Sequence, residues 1–503
     1  MTNNLSKISP LPWIGKLYPD PGLMIGGTRF DMSKYPFLKE LYHDKVLEQE
    51  IIVRKAAQLG WTTWAILVTL WYLDNDTFDN NGLYIFPTRS TCFDFVGGRL
   101  DPIISRNELL SAKNIDISNR MLKQIGGRNL YFRGTESEAG LIELPASWIV
   151  MDEVDRFKTQ GVVSLIKKRA AGAVDKYFKL LSNPTFPEVG IDALFNQSTQ
   201  AEYFLKCEHC NEWQPLTLED NVDLEHPEKG THCRKCKKPI DRHSVGEWVH
   251  AYPEKDALGY TMSQLYSPTV TIAEIVKDFK NIKSESDRQT FFNMVLGLPY
   301  IPKGGKITDK EIARAINPDL ERGDDGGRDT FMGIDVGTYL DWVVINAADQ
   351  VVDWGRAQDQ AELEERIAYY NPDRFVIDAL PERRLSLDIC DSFPDKGAVC
   401  FYTAQETDKE VGDFTLQFNR IRDLRLDRMY HKVRSANIQL PPEVVDSELA
   451  NHLKNLIKVV TENNKGDKVV QFLRYGKPDH LAHALNYALI AKSSFDPPSL
   501  SYV

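Results

Sequence analysis

The sequence predicts an α/β protein of two units, a larger one over residues 1–322 and a smaller one over residues 328–503. Three observations predict this class: short apolar runs that end in acids occur in both halves, helical patterns alternate with them, and glycine-rich segments separate the halves. Those segments are residues 303–306 and 323–327. A chain of 503 residues is also too long for one compact core.

The composition excludes several classes of protein. Hydrophobic residues make up 42% of the chain and charged residues 26%, so we expect a folded protein rather than a tail or a repeat array. The N-terminus lacks a signal-peptide profile and no apolar window reaches membrane-spanning length, which predicts a cytoplasmic protein without a membrane partner. The net charge of −11 argues against coating a nucleic acid with the whole surface, but leaves local basic grooves open.

The first predicted strand, residues 51–53, runs into a loop that reaches Gly60 and a pair of threonines, and an apolar helix follows. This layout is typical of a P-loop, in which backbone N–H groups cradle phosphate and a hydroxyl binds Mg²⁺. Trp61 stands where the usual lysine follows the last glycine. We therefore expect Lys55, five positions before Gly60, to supply the positive charge, with Arg54 behind it. A plain strand-to-helix turn explains the same residues.

A buried strand is predicted at residues 148–151, and it ends in Asp152 and Glu153. Open α/β sheets bind ligands at the carboxyl ends of their strands. Asp152 would hold Mg²⁺ through an oxygen ligand and Glu153 would polarise the attacking water, whereas a strand with a merely solvated acidic end is the alternative. The loop upstream favours the ATPase interpretation. Its predicted nucleotide-binding residues are Arg54, Lys55, Gln58, Gly60, Trp61, Thr62, Thr63 and Asp152.

Polar residues end the next apolar strand, which begins at Tyr177. They are Ser182, Asn183 and Thr185, with a proline between the last two. Such groups suit a segment that senses the γ-phosphate and passes the signal on. A simple turn is the alternative, because Asn-Pro commonly interrupts a strand.

Two C-x-x-C pairs lie within residues 203–250, separated by 22 residues. This is the spacing of a zinc ribbon with four thiolate ligands, which would be Cys207, Cys210, Cys233 and Cys236. A disulfide pair is disfavoured in a cytoplasmic chain with seven cysteines. The zinc would be structural, because four thiolates leave no open coordination position.

After this region the pattern predicts helices at residues 272–279 and 291–298.

Apolar runs that end in acids also mark the second unit, in which Asp335, Asp378 and Asp479 come from two strands and a helix start. Ribonuclease-H-like folds present their first metal-binding carboxylate inside such a strand. Three such carboxylates suit two Mg²⁺ or Mn²⁺ ions about 4 Å apart and in-line attack on a phosphodiester, with Asp341 as a fourth ligand. Each acid taken singly is more often a solvent contact at a strand end. His483 lies one helical turn after Asp479.

An arginine-rich stretch, residues 419–434, lies between these acids. At helical spacing it suits the backbone of DNA. A solvated helix with internal Asp–Arg pairs explains it nearly as well.

In this order, the deviant P-loop, the Asp-Glu strand, the Ser-Asn-Pro-Thr strand end, the zinc knuckles and Gly-Ile-Asp-Val-Gly at residues 333–337 resemble the large terminase subunit of tailed bacteriophages. The stretches at residues 263–268 and 292–297 add to the resemblance, which covers nearly the whole chain and is closest to the lambda-type branch. It implies a P-loop ATPase with a zinc-ribbon insertion that drives double-stranded DNA into the procapsid, and a ribonuclease-H-like nuclease that cuts concatemeric DNA.

The resemblance also implies roles for single residues. Residues 55–63 would bind ATP, Asp152 would bind magnesium, Glu153 would be the catalytic carboxylate, and residues 182–185 would couple hydrolysis to movement. The nuclease ligands would be Asp335, Asp378 and Asp479. The chain departs from the family at Trp61 and at His483, where relatives often carry a further acid. Arg99, Arg128 and Arg133 are candidates for an arginine that acts in trans.

The family further implies a small terminase subunit as partner, docking on the portal protein, a ring of subunits, and action in the cytoplasm of an infected bacterial host. Two other classes stay open from the residues alone. A helicase or remodelling ATPase would need a second RecA-like domain, and the second unit offers carboxylates instead. A non-catalytic scaffold would bridge DNA and a partner without turning over ATP.

Overall fold

The structure is a computed structural model that describes residues 9–17, 24–25, 28–75, 81–113, 118–136, 146–157, 161–169, 175–411, 415–462, 468–473 and 477–495. The chain forms two compact units, Met1–Ile301 and Pro302–Val503. This division lies earlier in the chain than the predicted boundary at residues 322–328. Ile307 and Ile312 explain the difference, because both are buried in a core cluster of the second unit.

The first unit combines strands with helices on both sides of a sheet. Its strands are β1 (Met24–Ile25), β2 (Thr28–Arg29), β3 (Glu50–Lys55), β4 (Gly82–Phe86), β5 (Ser118–Asn119), β6 (Leu122–Ile125), β7 (Arg128–Gly134), β8 (Trp148–Asp152), β9 (Tyr177–Ser182), β10 (Ala201–Lys206), β11 (Trp213–Gln214), β12 (Glu247–His250) and β13 (Leu258–Met262). Its helices are α1 (Pro10–Leu17), α2 (Trp61–Asp74), α3 (Arg89–Phe95), α4 (Asp101–Ser105), α5 (Glu108–Lys113), α6 (Val162–Arg169), α7 (Gly190–Asn196), α8 (Leu218–Asn221), α9 (Ile272–Lys280) and α10 (Glu285–Thr290).

Strands β1 and β2 pair with each other, and the other described strands of this unit form an 11-stranded sheet. Its order is β11-β10-β13-β3-β9-β8-β4-β7-β6-β5, and β12 pairs with β10. The strands from β10 to β7 along this path run parallel. All residues of β4 and β8 are buried, as expected for strands covered on both faces. The carboxyl ends of β3, β9 and β8 therefore meet at one edge of the sheet, with β9 in the middle.

The four-cysteine region extends from an outer part of this sheet. Strand β10 leads into it and β12 returns from it, and the two pair antiparallel. The region is thus an insertion whose two ends are fixed by one strand pair.

The second unit also combines strands and helices. Its strands are β14 (Thr330–Val336), β15 (Leu340–Asn346), β16 (Val351–Ala357), β17 (Arg374–Asp378), β18 (Gly397–Tyr402), β19 (Thr407–Val411), β20 (Thr415–Arg420), β21 (Ile457–Glu462) and β22 (Lys468–Leu473). Its helices are α11 (Asp309–Ala315), α12 (Gln360–Tyr370), α13 (Arg383–Ser392), α14 (Arg422–Arg434), α15 (Glu448–Asn455) and α16 (His480–Phe495).

A seven-stranded sheet in the order β16-β15-β14-β17-β18-β20-β19 is the frame of this unit. Strands β14, β15 and β16 pair antiparallel, and β17 continues the sheet parallel to β14. Helix α16 packs directly on β14 at Gly333, where an added Cβ would lie 1.9 Å from the carbonyl oxygen of Ala484. Glycine at this position is what lets the helix approach the strand so closely.

None of the described helices is both long enough and apolar enough to cross a membrane. The predicted α/β class is confirmed in both units.

Candidate functional site

The loop between β3 and α2 presents backbone N–H groups at a helix N-terminus. The amides of Ala56 and Ala57 donate to the carbonyl oxygens of Met262 and Met294. Among the described residues, the amides of residues 58–63 have no acceptor. Gly60 adopts a left-handed conformation with φ of 80° at the N-cap of α2. Unpaired amides at a helix N-terminus are suited to an anion such as phosphate.

Lys55, Thr62 and Asp152 meet at the edge of the sheet. The Nζ of Lys55 lies 3.1 Å from Asp152 Oδ1 and donates to Thr62 Oγ1 at 3.2 Å. The Thr62 hydroxyl lies 3.3 Å from Asp152 Oδ2. Lys55 and Asp152 are 8% and 2% exposed, so the pair is largely withdrawn from solvent. A cation, a hydroxyl and a carboxylate within hydrogen-bond reach are the groups that a magnesium-bound triphosphate needs.

Glu153 follows in a strained backbone conformation. Its φ of 60° lies in the left-handed region that non-glycine residues seldom adopt. Its amide donates to Asp152 Oδ1 at 3.0 Å, and its carboxylate lies 3.3 Å from Arg156. The strand end thereby turns sharply and leaves the Glu153 carboxylate partly exposed beside the buried Asp152.

Two of the predicted nucleotide-binding side chains are engaged elsewhere. Arg54 pairs with Asp192 at 2.5 Å and lies over the ring of Phe195. Trp61 is 1% exposed and packs edge-on against Trp64. These two side chains therefore do not face a nucleotide bound at the loop, contrary to the expectation from the sequence. Of their two backbone amides, only that of Trp61 is without an acceptor among the described residues. Gln58, with φ of 59°, is exposed in the loop, and Thr63 is half-buried in the first turn of α2.

The polar segment after β9 lies between the loop and the acidic strand end, because β9 is inserted between β3 and β8. Asn183 Nδ2 donates to the carbonyl oxygen of Lys55 at 2.8 Å. On the other side, Thr185 donates from its amide and its hydroxyl to Asp155 Oδ2, at 2.7 and 2.8 Å. Burial raises the pKa of Asp155 to about 6. The sequence predicted no role for Asp155, although it stands only two positions after Glu153.

The four cysteines of the ribbon converge. Their sulfur atoms all lie within 4.8 Å of one another, and Cys207–Cys236 and Cys210–Cys233 are each separated by 3.7 Å. A disulfide would bring two sulfurs to about 2 Å. Four sulfurs around one tetrahedral zinc, each about 2.3 Å from the ion, are about 3.8 Å apart. The donor set therefore fits a structural zinc ion.

In the second unit, the predicted acids come to neighbouring strand ends. Asp335 is opposite Asp341 in the β14–β15 pair, and Asp378 ends the adjacent parallel strand β17. Asp335 and Asp341 are 6% and 2% exposed. Burial, and then the charge of Asp335, raises the pKa of Asp378 to about 6. Partly dehydrated carboxylates that repel one another in this way favour a bound cation.

Helix α16 brings the remaining groups to the same place. His480 Nδ1 lies 2.8 Å from Asp335 Oδ2, and this contact raises the pKa of His480. His483 Nε2 lies 3.5 Å from Asp479 Oδ2. Both histidines thus contact predicted metal-binding acids. Among the described residues, however, the cysteines are the one group of three or more His, Cys, Asp or Glu residues whose ligand atoms all lie within 4.8 Å of one another.

Asp341 differs from the other predicted ligands because an arginine side chain forms an ion pair with it. Arg356 Nε lies 3.0 Å from Asp341 Oδ1. Burial raises the pKa of Asp341, although Arg356 acts in the opposite direction. No sequence signal pointed to Arg356, which comes from the neighbouring strand β16.

The arginine-rich stretch forms β20 and α14, and most of its cations are paired within the second unit. The pairs are Arg420–Asp408, Arg422–Asp423, Arg425–Glu406, Lys432–Asp349 and Arg434–Glu311. This arrangement favours the interpretation as a helix with internal ion pairs over a free DNA-binding face.

Comparisons with known proteins agree with this division into two sites. The family model for the phage terminase large subunit gpA, ATPase domain, matches residues 27–251, and that for the terminase large subunit gpA, endonuclease domain, matches residues 257–420. No curated protein matches the sequence.

Solved structures were also compared with the chain. The crystal structure of the HK97 bacteriophage large terminase is similar in fold, with a TM-score of 0.53 at 12% identity over 98% of this chain and 100% of that one. The structure of a large terminase from a thermophilic bacteriophage matches at a TM-score of 0.34 and 11% identity, over 91% of this chain and 98% of that one.

The two family models describe the two domains of one protein and together span more than three quarters of the chain. The predicted resemblance is therefore confirmed. The chain belongs to the gpA family of phage terminase large subunits, DNA-packaging ATPases that also cleave DNA.

Proposed function

We propose that the first unit hydrolyses ATP with Lys55, Thr62, Asp152 and Glu153. The contact between Lys55 and Asp152 carries this proposal, because it brings a lysine at the start of the loop to the acidic strand end. Lys55 and the amides of residues 58–63 would bind the phosphates. Thr62 and Asp152 would supply oxygen ligands to Mg²⁺, which neutralises developing charge on the phosphates. Glu153 would orient and deprotonate the attacking water.

Arg54 and Trp61 have a different role in this proposal. The Arg54–Asp192 pair and the aromatic packing of Trp61 would hold β3 and α2 in place. Their contribution to nucleotide binding would then come from the position of the loop. Of the three candidates for a trans-acting arginine, Arg128 and Arg133 donate to nearby backbone carbonyls, whereas Arg99 is exposed. We therefore favour Arg99 for that role.

The second unit would cut DNA with Asp335, Asp378 and Asp479 as ligands for Mg²⁺ or Mn²⁺. Two such ions stabilise the attacking and leaving oxygens of an in-line displacement. Asp341 would act mainly through Arg356 and become a ligand only if that ion pair opens. His480 and His483 would orient the carboxylates that they contact.

The proposed partners follow from the family. Double-stranded DNA is the substrate of both units, and the further partners would be a small terminase subunit and the portal protein of the procapsid. The protein would work as a ring of copies in the cytoplasm of an infected bacterial host. The ribbon cysteines would hold zinc as a structural ion.

ATP hydrolysis in the presence of double-stranded DNA tests the first unit. We expect Glu153→Gln and Lys55→Met each to lower kcat by about a hundredfold or more, since each removes a group that acts on the transferring phosphoryl group. Glu188→Gln is the matched control, because Glu188 is also an acid with a left-handed φ, of 63°, in the same unit. Hydrolysis at the wild-type rate in Glu153→Gln would contradict its role as the catalytic carboxylate, whereas no hydrolysis by the wild type would favour the scaffold.

Cleavage of a plasmid with Mn²⁺ tests the second unit. We expect Asp335→Asn and Asp378→Asn to abolish cleavage and to leave ATP hydrolysis unchanged. Asp388→Asn, which changes an exposed acid on α13, should cleave as the wild type does. Plasmid nicking by Asp335→Asn at the wild-type rate would contradict the assignment of the metal ligands.

A further inference from the structure

The carboxylate of Asp155 accepts three hydrogen bonds near the ATPase site. Its Oδ2 accepts from the amide and the hydroxyl of Thr185, and its Oδ1 accepts from the amide of Ile191 at 2.6 Å. Its own amide lies 3.2 Å from the hydroxyl of Ser182. The main-chain amide of Asp155 thus contacts Ser182, the first residue of the segment 182–185, and its side chain contacts Thr185, the last.

The surroundings are shaped to this carboxylate. Gly190 has φ of 51°, and an added Cβ there would lie 2.4 Å from Asp155 Oδ1. A side chain at residue 190 would push the carboxylate out of its place. The amide of Ile191 lies in the first turn of α7, so the carboxylate also binds a helix N-terminus.

Residues 182–185 are consequently held from two sides. Asn183 binds the carbonyl of Lys55 on one side, and Thr185 binds Asp155 on the other. Asp155 follows Glu153 by two residues and lies in the turn Val154–Arg156, of which Glu153 is the N-cap residue. Glu153 is therefore connected to Thr185 through one short turn and the two hydrogen bonds that Thr185 donates to Asp155. The carbonyl of Thr185 in turn accepts from the amide of Tyr300 at the end of the unit.

We propose that Asp155 is the positioning residue that links the catalytic strand end to the segment 182–185 and so makes ATP hydrolysis respond to DNA. The inference rests on the proposed ATPase function and adds the residue through which the coupling segment is held. Asp155 itself contacts neither the loop amides nor Lys55 among the described residues, so it acts through Thr185 and Glu153.

Steady-state kinetics with saturating double-stranded DNA tests the proposal in the full chain. In Asp155→Asn, an NH₂ group replaces one of the two acceptor oxygens. This donor then faces the groups of either Thr185 or Ile191 that donate to the carboxylate in the wild type. We expect kcat with DNA to fall by about tenfold while KM for ATP changes by less than about twofold. A smaller folded fraction would lower kcat with and without DNA by the same factor, whereas loss of the link through Asp155 should lower only kcat with DNA.

A matched pair at Thr185 makes the test independent of the folding of Asp155→Asn. Thr185→Val keeps the shape but removes the hydroxyl donor, so kcat with DNA should fall in the same direction. Thr185→Ser keeps the hydroxyl, so its kcat with DNA should equal that of the wild type. Wild-type kcat in Thr185→Val, or equal defects in the valine and serine variants, would overturn the proposal.

Glu153→Gln separates this inference from the function on which it rests. If Glu153→Gln hydrolyses ATP normally, the proposed ATPase site fails. If Glu153→Gln is inactive while Asp155→Asn and Thr185→Val keep the wild-type kcat with DNA, only the link through Asp155 fails.

Discussion

Lys179 places an ammonium group inside the first unit. It is 0% exposed, donates to the carbonyl oxygen of Glu48 at 2.7 Å and lies 5.0 Å from the centre of the Trp148 ring. Burial lowers the pKa of Lys179 to about 7, from 10.5. Between these two values the unfolded chain holds a proton that the folded protein has released, so stability rises with pH in this window.

We expect Lys179→Met to lose this pH dependence. In the wild type, Lys179 should add about 2 kcal/mol of stability between pH 7 and pH 9. Thermal unfolding at the two pH values measures the effect, and Lys277→Met, which changes an exposed lysine on α9, is the control. Equal pH dependence in the wild type and in Lys179→Met would contradict this account.

The sequence predicted some residues of the sites better than others. Lys55 and Asp152 each follow an apolar run, and the ends of parallel strands meet, so their proximity could be anticipated. The pairing of Arg54 with Asp192 joins residues far apart in the chain, and no local pattern indicates it. The same is true of Arg356 beside Asp341. The roles of Lys55 and Asp152 in binding the nucleotide and its magnesium stay predictions.

At the scale of single elements, the contact between α16 and β14 depends on Gly333. An added Cβ would lie 1.9 Å from the carbonyl oxygen of Ala484 and 2.2 Å from the amide of Ala488. Both are backbone atoms of a helix, so the whole helix must move. We expect Gly333→Ala to destabilise the second unit by about 3 kcal/mol, since overpacking typically costs 1–3 kcal/mol and backbone cannot rotate away.

Thermal unfolding of the full chain measures this effect. Gly337→Ala is the control, because the atom nearest to its added Cβ is His480 Cε1 at 3.4 Å, an ordinary contact. Equal melting temperatures in the two variants would show that α16 can shift without cost.

The ribbon should depend on its metal. We expect Cys236→Ser to lose bound zinc and to unfold the insertion locally, because a zinc ion held by four thiolates contributes directly to folding. Metal content and thermal unfolding measure the two effects. His209→Ala, which changes an exposed residue beside the first knuckle, should keep the zinc. Full zinc content in Cys236→Ser would rule out the four-thiolate site.

Local sequence patterns predicted the position of two helices in the first unit, but the type of only one of them. The helix predicted at residues 272–279 is found as Ile272–Lys280, and a capping box between Thr271 and Glu274 starts it. The helix predicted at residues 291–298 is π-helical over Phe291–Leu296 and ends at Gly297, which has φ of 67°. Apolar periodicity does not distinguish α from π turns, because the choice depends on what packs against the element.

At the scale of the whole molecule, the chain separates into two compact units after Ile301. Residues 302–327 therefore belong to the second unit, whereas the sequence placed its start at residue 328. Glycines at residues 323–327 suggested a linker there, but a glycine-rich loop at a surface has the same composition as a linker. The apolar residues Ile307, Ile312 and Ala315, upstream of that loop, are buried in the core of the second unit.

Separate expression of the halves tests this division. We expect residues 302–503 to fold and to cleave plasmid with Mn²⁺. A chain that begins at residue 328 lacks Ile307 and Ile312 and should lose several kcal/mol, at about 1.5–3 kcal/mol for each buried side chain. Cleavage activity and thermal unfolding measure the difference. Equal stability of the two chains would instead support a unit boundary at the glycine-rich loop, residues 323–327.

The placement of Lys55 at the end of β3 has an evolutionary consequence. A lysine on a loop moves whenever the loop gains or loses a residue, whereas Lys55 is fixed by the ladder to β13, in which it is opposite Met262. If Lys55 has its proposed role, homologous chains can carry an apolar residue directly after the last glycine, as this chain carries Trp61, without losing the charge. Motif searches that require lysine directly after the last glycine would then overlook such relatives.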